Sequence, residues 1–397
     1  LAVAISLCVM IVTTALVHGF KREISEKVYG FWGHINITDI RADNSYEALP
    51  VLRDSVLVHT LENIAEVEVD YGVPGKSSVT SRAGVKHVQT VARIPAIITI
   101  GGSMEGVVIK GLGTDFDWRT LERFIVKGEI LDLDSQESNS ELIISEYTAN
   151  RLELNTKDRI ILYFLKNDRQ IQRRFTVKGI YRTGLEDYDQ KFAMAPISIV
   201  QELLGWTNQQ VGAYEVFIED VEDVELINDY IYLEELPADL YSQTIRSKFP
   251  AIFEWLELQD VNQVVILGLT LIVAIINMIS ILLILILERT RMIGLFKALG
   301  SRTWHIQKIF LYHAGMIIVR GMLLGNILGL SLCLIQQKFK VITLNEQDYY
   351  LSHAPVDINL VYILGINAVA LFVIMVFLIV PSLLIARIDP VKTIQFR

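Results

Sequence analysis

Glycine-rich turns beside Lys, Ser or carboxylates are where a chain like this could cradle a phosphate or activate a nucleophile. Gly75-Lys76-Ser77 has the ending of a phosphate loop, yet the position that must carry its first Gly is Asp70. Gly111-Leu112-Gly113 lacks the third glycine of the dinucleotide fingerprint, where Phe116 stands. Gly102-Ser103 does not complete a nucleophile elbow, because Glu105 takes the last Gly position. There is no His-Glu-x-x-His, the seven histidines are scattered, and no pair of carboxylates stands out by spacing as acid and base. Cys8 and Cys333 lie in apolar runs, so the polar region offers no thiol, zinc knuckle or disulfide. No active site is legible, and the chain is expected to be no enzyme and to hold no metal or cofactor.

Chemistry of another kind is legible. The segment Glu288-Arg-Thr-Arg-Met-Ile-Gly-Leu-Phe-Lys-Ala-Leu-Gly300 puts Ile293, Phe296 and Leu299 at helical spacing, with Arg291 and Lys297 around them. It predicts a short amphipathic helix with Gly300 as its stop. An interfacial anchor and a docking helix both fit it. Gly321, Gly325 and Gly329 make a doubled small-xxx-small face suited to close helix packing. Asn277, Ser280, Asn326 and Asn367 are expected to hydrogen-bond between helices. Arg320 sits within an apolar run. It is read as snorkelling to an interface, or as a span that starts later, ahead of a role in transport.

The elements that carry these residues are membrane spans. The chain has 397 residues, 52% of them hydrophobic and 20% charged, and its mean hydropathy is +0.40. A helix needs about 20 mostly apolar residues to cross a bilayer core. The spans are expected at 1–19, 261–287, 309–335 and 359–386. A cleaved signal peptide competes for the first, but no A-x-A-like site follows it. The sequence opens at Leu1 inside the apolar run, so a further cytoplasmic stretch is expected before it.

Charge sets the orientation. Residues 1–260 hold 25 Lys and Arg against 40 Asp and Glu, while residues 261–397 hold 11 against 5. An acidic front and a basic back do not suit a nucleic-acid binder. Arg289, Arg291, Lys297, Arg302 and Lys308 put the loop 288–308 in the cytoplasm by the positive-inside bias, and Arg387, Lys392 and Arg397 put the tail 387–397 there. Residues 20–260 and the loop 336–358 then lie outside. In 20–260, β-like stretches at His34–Ile40, Ala65–Tyr71, His87–Ile98, Gly106–Lys110, Glu141–Ile144, Arg159–Leu165 and Phe175–Tyr181 interleave with helical patterns. Those patterns cover Tyr46–Thr60, Ser145–Leu152, Ile197–Leu204, Val221–Leu233 and Ser247–Gln259. The fold class is therefore an α-helical membrane protein with four transmembrane helices and a large α+β extracytoplasmic domain. The last helical pattern runs into the second span, predicting one helix from Ser247 to Leu287, roughly 60 Å long.

The pattern Glu288-Arg289…Ile293-Gly294…Lys297-Ala298…Gly300 resembles the coupling loop of FtsX/MacB-like ABC transporter permeases. Pro381…Ala386-Arg387…Asp389-Pro390-Val391 resembles their closing motif. Met292 stands where the family usually has Glu. Leu152–Leu165 followed by Phe175–Ile180 is similar to the extracytoplasmic domain of these permeases. Gly19-Phe-Lys-Arg-Glu23 and Tyr349-Tyr350…Pro355-Val356 are similar to the lipoprotein-releasing (LolC/LolE) branch. The resemblance implies a porter-like subdomain with an inserted β-rich subdomain, roughly residues 106–185. It implies two permease chains, identical or paralogous, and a separate ABC ATPase that holds ATP and Mg. The ATPase would push on 288–308, and motion would pass outward along the second helices. Glu288, Arg289, Arg291, Ile293, Gly294, Lys297, Gly300, Arg387, Asp389 and Pro390 would form the ATPase-coupling surface. A lipoprotein would be the cargo, drawn from the inner membrane of a bacterium between the first and second spans. A periplasmic carrier would receive it, although the stretch Lys166–Arg174, where some members hold the carrier with a long hook, is short here. A MacB-like exporter with another cargo, or an FtsX-like signalling subunit governing a periplasmic enzyme, fits the same parts.

Overall fold

The computed structural model describes residues 1–42, 48–69, 79–166 and 169–387. Asp70, Gly72–Gly75, Lys76 and Ser77 lie outside the described residues, as do Asp389 and Pro390. The chain divides into two compact units. One joins Leu1–Glu23, Glu254–Leu344 and Ser352–Arg397; the other joins Ile24–Phe253 and Asn345–Leu351.

The main helices are α1 (Ala2–Trp32), α2 (Ser55–Glu62), α3 (Glu146–Arg151), α4 (Ile197–Leu204), α5 (Val224–Tyr230), α6 (Pro250–Glu288), α7 (Thr290–Ala298), α8 (Thr303–Phe339) and α9 (Leu360–Ser382). Among the described residues, four helical stretches are long and apolar enough to cross a membrane: α1, α6, α8 and Leu360–Ala386, which takes in α9. They overrun the predicted spans at several ends. α1 does not stop at His18–Arg22 but continues to Trp32, where Gly33, in the left-handed region at φ +74°, turns the chain away. α6 begins at Pro250 rather than Ser247. Proline has no N–H to give and its φ is fixed, so it fits a helix's first turn and separates α6 from the short helix Ile245–Lys248.

In the helical unit, Val3, Leu7, Ile11 and Ala15 of α1 share one apolar cluster with Met278 and Leu282 of α6, Ile318 of α8 and Ile374 of α9. The doubled glycine face of α8 meets α1. A Cβ on Gly325 would lie 2.7 Å from the Ala4 carbonyl oxygen and 3.0 Å from Leu7 Cβ, while Gly321 faces Val3 and Gly329 faces Ile11. Only a residue without a side chain admits that approach. Asn326 and Asn367 exchange hydrogen bonds between α8 and α9 at 2.8 and 3.0 Å. Among the described residues, Asn277 and Ser280 make no hydrogen bond across helices. They donate to the Val273 and Ile276 carbonyls one turn back on α6, which satisfies an exposed polar group locally.

The second unit is built on a ten-stranded sheet. Its strands are β1 (Ile35–Asp39), β2 (Val85–Ile100), β3 (Ser103–Leu112), β4 (Ile125–Gly128), β5 (Glu141–Ser145), β6 (Arg159–Lys166), β7 (Arg169–Tyr181), β8 (Phe192–Pro196), β9 (Ala213–Ile218) and β10 (Leu240–Thr244). The order runs β10-β1-β9-β2-β3-β8-β5-β7-β4, and β6 pairs with both β7 and β2. β2, β3, β8, β5, β7 and β6 therefore close on themselves as a barrel. β2 belongs to both parts: through Val91 it pairs with β9, and from Ile97 with β6. Pro95, which cannot donate to a ladder, occupies the gap between these pairings.

Two apolar clusters follow from that division. Ala92, Ile94, Ala96 and Ile98, at every second position of β2, pack inside the barrel with Phe164, Phe175 and Val177, and Ile199, Val200 and Leu203 of α4 join the same cluster. Ile35, Ile37, Tyr214 and Val216 pack with Leu57 and Leu61 of α2 and Ile227 of α5 on the open part of the sheet. The helix predicted at Tyr46–Thr60 is confined to Ser55–Glu62, with Tyr46 outside the described residues. Asp54 starts it by accepting from the Val56 and Leu57 amides, and Pro50 disfavours a helical conformation at Leu49. The barrel draws on Val85–Ile100 and Phe192–Pro196 as well as on strands within 106–185.

Candidate functional site: an exposed helix after the second span

α6 ends at Glu288, and the chain turns through Arg289 into α7. The Thr290 hydroxyl, at that turn, donates to the Ile286 and Leu287 carbonyls, whose helical partners end there. Ile293 and Gly294 are buried, and Met292 and Phe296 pack half-buried against the cluster between the helices. α7 stops at Ala298, and Gly300 follows at φ +87° with its amide on the Lys297 carbonyl. Leu299 lies one residue past the helix and is 74% exposed, so it leaves the predicted buried face.

Lys297 turns inward. Its ammonium donates to the Ala386 carbonyl at 3.0 Å, which ties α7 to the short helix Leu384–Arg387 that follows α9. Two segments 89 residues apart in the chain thus meet, a contact that no spacing in the sequence announces. Glu288, Arg289 and Arg291 remain exposed on the other side, together with Leu295, Leu299 and Trp304. Arg302 and Lys308 are exposed nearby in sequence. A surface of cations around apolar side chains suits a protein partner with acidic groups and an apolar groove. Among the described residues no group of His, Cys, Asp or Glu could hold a metal ion.

In the sheet unit, sequence reasoning passed over a buried charge cluster. Lys110 of β3 and Glu215 of β9 are both fully buried, 2.8 Å apart. The Lys110 ammonium also donates to the Phe31 carbonyl in the last turn of α1, and Gln89 of β2 donates to Glu215 at 2.8 Å. A cation suits the negative end of a helix, so the pair fastens the end of α1 to the sheet. Arg93 and Lys248 lie over the Trp32 ring at 5.0 and 5.1 Å. With three cations near one carboxylate, burial lowers the Lys110 pKa from its ordinary value, although Glu215 opposes the shift. Burial, helped by the Arg93 charge, lowers Lys248 to about 7. A Lys inside the apolar run Val107–Leu112, on an alternating strand, was the available signal.

The segment Asn345–Leu351, from the loop after α8, belongs to the same unit. Arg182 bridges Glu146 at 3.1 Å and Glu346 at 2.9 Å, while Lys27 donates to the Tyr350 carbonyl at 2.9 Å. Leu351 is buried beside them. β6 and β7 are antiparallel, with Lys166 opposite Arg169.

Comparison with known proteins bears on these surfaces. Residues 1–231 match the MacB-like periplasmic core domain, and residues 264–390 match the FtsX-like permease C-terminal domain. The chain is 21% identical to the lipoprotein-releasing system transmembrane protein LolE of Haemophilus influenzae over 417 residues, covering 100% of this chain and 92% of that one. It is 23% identical to LolC of the same organism over 265 residues, 64% of each chain. A macrolide export ATP-binding/permease protein MacB of Bdellovibrio bacteriovorus is 27% identical over 168 residues, 39% of this chain and 25% of that one.

Proposed function

Because the chain belongs to the FtsX/MacB-like family of ABC transporter permeases, we propose that it is the membrane subunit of a lipoprotein-releasing complex. It works as a coupling protein and not as an enzyme. A separate ATPase holds ATP and Mg, docks on α7 and the chain's end, and a second permease chain completes the assembly. α7 and the tail face the cytoplasm of a bacterial inner membrane, with the sheet unit in the periplasm. Closure of the ATPase displaces α7, and the displacement passes into α6, an unbroken helix of 39 residues. The cargo is an acylated protein taken from the membrane and handed to a periplasmic carrier.

The observation that supports this reading is the full-length match to LolE, joined to an exposed cationic and apolar helix directly after α6. An exporter of another substrate is the second reading, favoured by the shorter match to MacB.

The test is to isolate the chain from its native membrane and identify what accompanies it. An ATPase and acylated lipoprotein are expected; a cell-wall hydrolase, or an ATPase with no lipoprotein, would overturn the cargo. In the same preparation, Arg289→Glu with Arg291→Glu should separate ATP hydrolysis from cargo release. Undiminished release by that variant would remove the docking role. Lys297 is unsuited to this test, since its bond to Ala386 makes it a positioning residue.

A further inference from the structure

Arg320 of α8 lines a recess of about 460 Å³ in the helical unit with Tyr312, Gly315, Met316, Val319, Leu371 and Met375. We propose that this recess between α8 and α9 holds a membrane phospholipid, its phosphodiester on Arg320 and Tyr312 and an acyl chain along the two methionines. The inference rests on the reading of α8 and α9 as membrane spans.

A guanidinium at membrane depth needs an anion, because an unpaired charge in hydrocarbon is strongly disfavoured. This chain offers none. Its acidic residues in the helical unit are Glu23, Glu254, Glu257, Asp260, Glu288, Asp357 and Asp389, and none falls within the apolar runs 1–17, 261–287, 309–335 or 360–385. A second copy of the chain would bring the same sequence and so no carboxylate at that depth. The recess lining has no acid either. The counter-charge therefore comes from the surroundings, where phosphodiesters are the abundant anion.

Geometry favours the same occupant. Trp304, Lys308, Tyr312 and His313 give the first turns of α8 an interfacial composition, and Tyr312 is 74% exposed. Arg320 lies eight residues further, roughly 12 Å along the helix. Helical side chains lean toward the helix N-terminus, so Arg320 leans back toward the Tyr312 level, and a long side chain covers much of that distance by snorkelling. Guanidinium forks match phosphate oxygens in pairs, which an ammonium cannot do. Between the levels of Tyr312 and Arg320 the lining is apolar, and flexible methionines adapt to an acyl chain. A Cβ on Gly315 would make ordinary contact with Met375 Sδ at 3.7 Å, so a longer side chain there would fill the recess.

The experiment is native mass spectrometry of the detergent-purified complex, counting retained phospholipid per permease chain, followed by re-addition of phosphatidylglycerol. Wild type should keep lipid that Arg320→Gln loses at least fivefold. Arg320→Lys should retain an intermediate amount, because it keeps charge but not the paired geometry. Gly315→Leu should lose lipid by filling the recess while Arg320 stays. Arg320→Gln replaces an exposed side chain, so its fold is expected to stand if Gly315→Leu fails. Equal retention by Arg320→Gln and wild type would overturn the proposal. So would displacement of the lipid by excess inorganic phosphate, or loss of a partner permease with lipid retention unchanged, which would assign Arg320 to a partner's carboxylate. Co-purification of the ATPase is scored on the same samples, so a failure here is distinguishable from a failure of the coupling reading.

Discussion

Glu215→Gln should destabilise the sheet unit by about 3–5 kcal/mol, the usual cost of leaving one member of a buried ion pair without its partner. Glu215 accepts from Lys110 at 3.0 Å and from Gln89 at 2.8 Å, and neither member of the ion pair reaches solvent. With an effective dielectric of about 20, opposite charges at that distance attract by roughly 6 kcal/mol before desolvation is counted. The glutamine keeps the shape and one acceptor but removes that attraction, leaving Lys110, Arg93 and Lys248 facing one another. Lys110 can escape by losing its proton, since burial already lowers its pKa. The deficit should therefore shrink as pH rises from 7 to 9. For a unit of this size, 3–5 kcal/mol corresponds to roughly 6–20 °C in Tm. Thermal unfolding of the purified chain, followed by tryptophan fluorescence, reads it, because Trp32 packs against Phe192 and Phe249 at 5.3 Å each. Lys110→Met with Glu215→Leu should recover most of the loss by removing both charges together. A single variant melting within about 2 °C of wild type would refute the fastening role. So would a double variant no better than the single.

Four further outcomes follow from the structure. Burial lowers the His34 pKa to about 4, so unfolding takes up a proton between pH 4 and 6.5, and stability should fall as pH drops through that window; replacing His34 with Gln should flatten the fall. Lys248, at about 7 when folded, also binds its proton more weakly in the fold, so Tm should rise from pH 7 toward 10, and Lys248→Met should remove that slope. Gly325→Leu should cut the yield of monodisperse protein, because even its Cβ would meet the Ala4 carbonyl at 2.7 Å, whereas Gly268→Ala, with nothing within 4 Å, should leave it intact. Arg182→Ala should speed hydrogen exchange across 345–351 by roughly tenfold, the worth of about one charged hydrogen bond; unchanged exchange would show that Lys27 and Leu351 hold the segment alone.

How much of this was legible depended on whether a feature is local. The spans and α7 could be read because their signals, apolar length and helical spacing, lie within one stretch of chain. Gly300 marked the end of α7 because only the left-handed position needs it. Helix ends failed where a neighbour decides them: α1 runs to Trp32 because its last turn is held by Lys110, which lies 79 residues from Phe31. Strands β4, β8, β9 and β10 were missed because they are short and their pairing is entirely non-local. Asn326 and Asn367 found each other while Asn277 and Ser280 turned to their own helix, and composition is the same in both cases. The link from Lys297 to Ala386 was invisible for the same reason.

That division bears on how a push at α7 would travel under the proposed function. α1 and α6 each contribute residues to both compact units, as does the loop that contains 345–351. α6 is continuous with the turn that Thr290 caps, and α7 is also fastened to the chain's end through Lys297. A displaced α7 therefore loads α6 directly and α9 through the Ala386 carbonyl. α1 receives the load sideways, through glycines that leave it no gap against α8. At its far end α1 is fixed by the buried Lys110–Glu215 pair, and Lys27 on the same helix holds the Tyr350 carbonyl. If the relay works this way, Glu215→Gln should impair cargo release at temperatures where the variant is still folded, with ATP hydrolysis unchanged. Full release by a folded Glu215→Gln protein would confine that pair to stability.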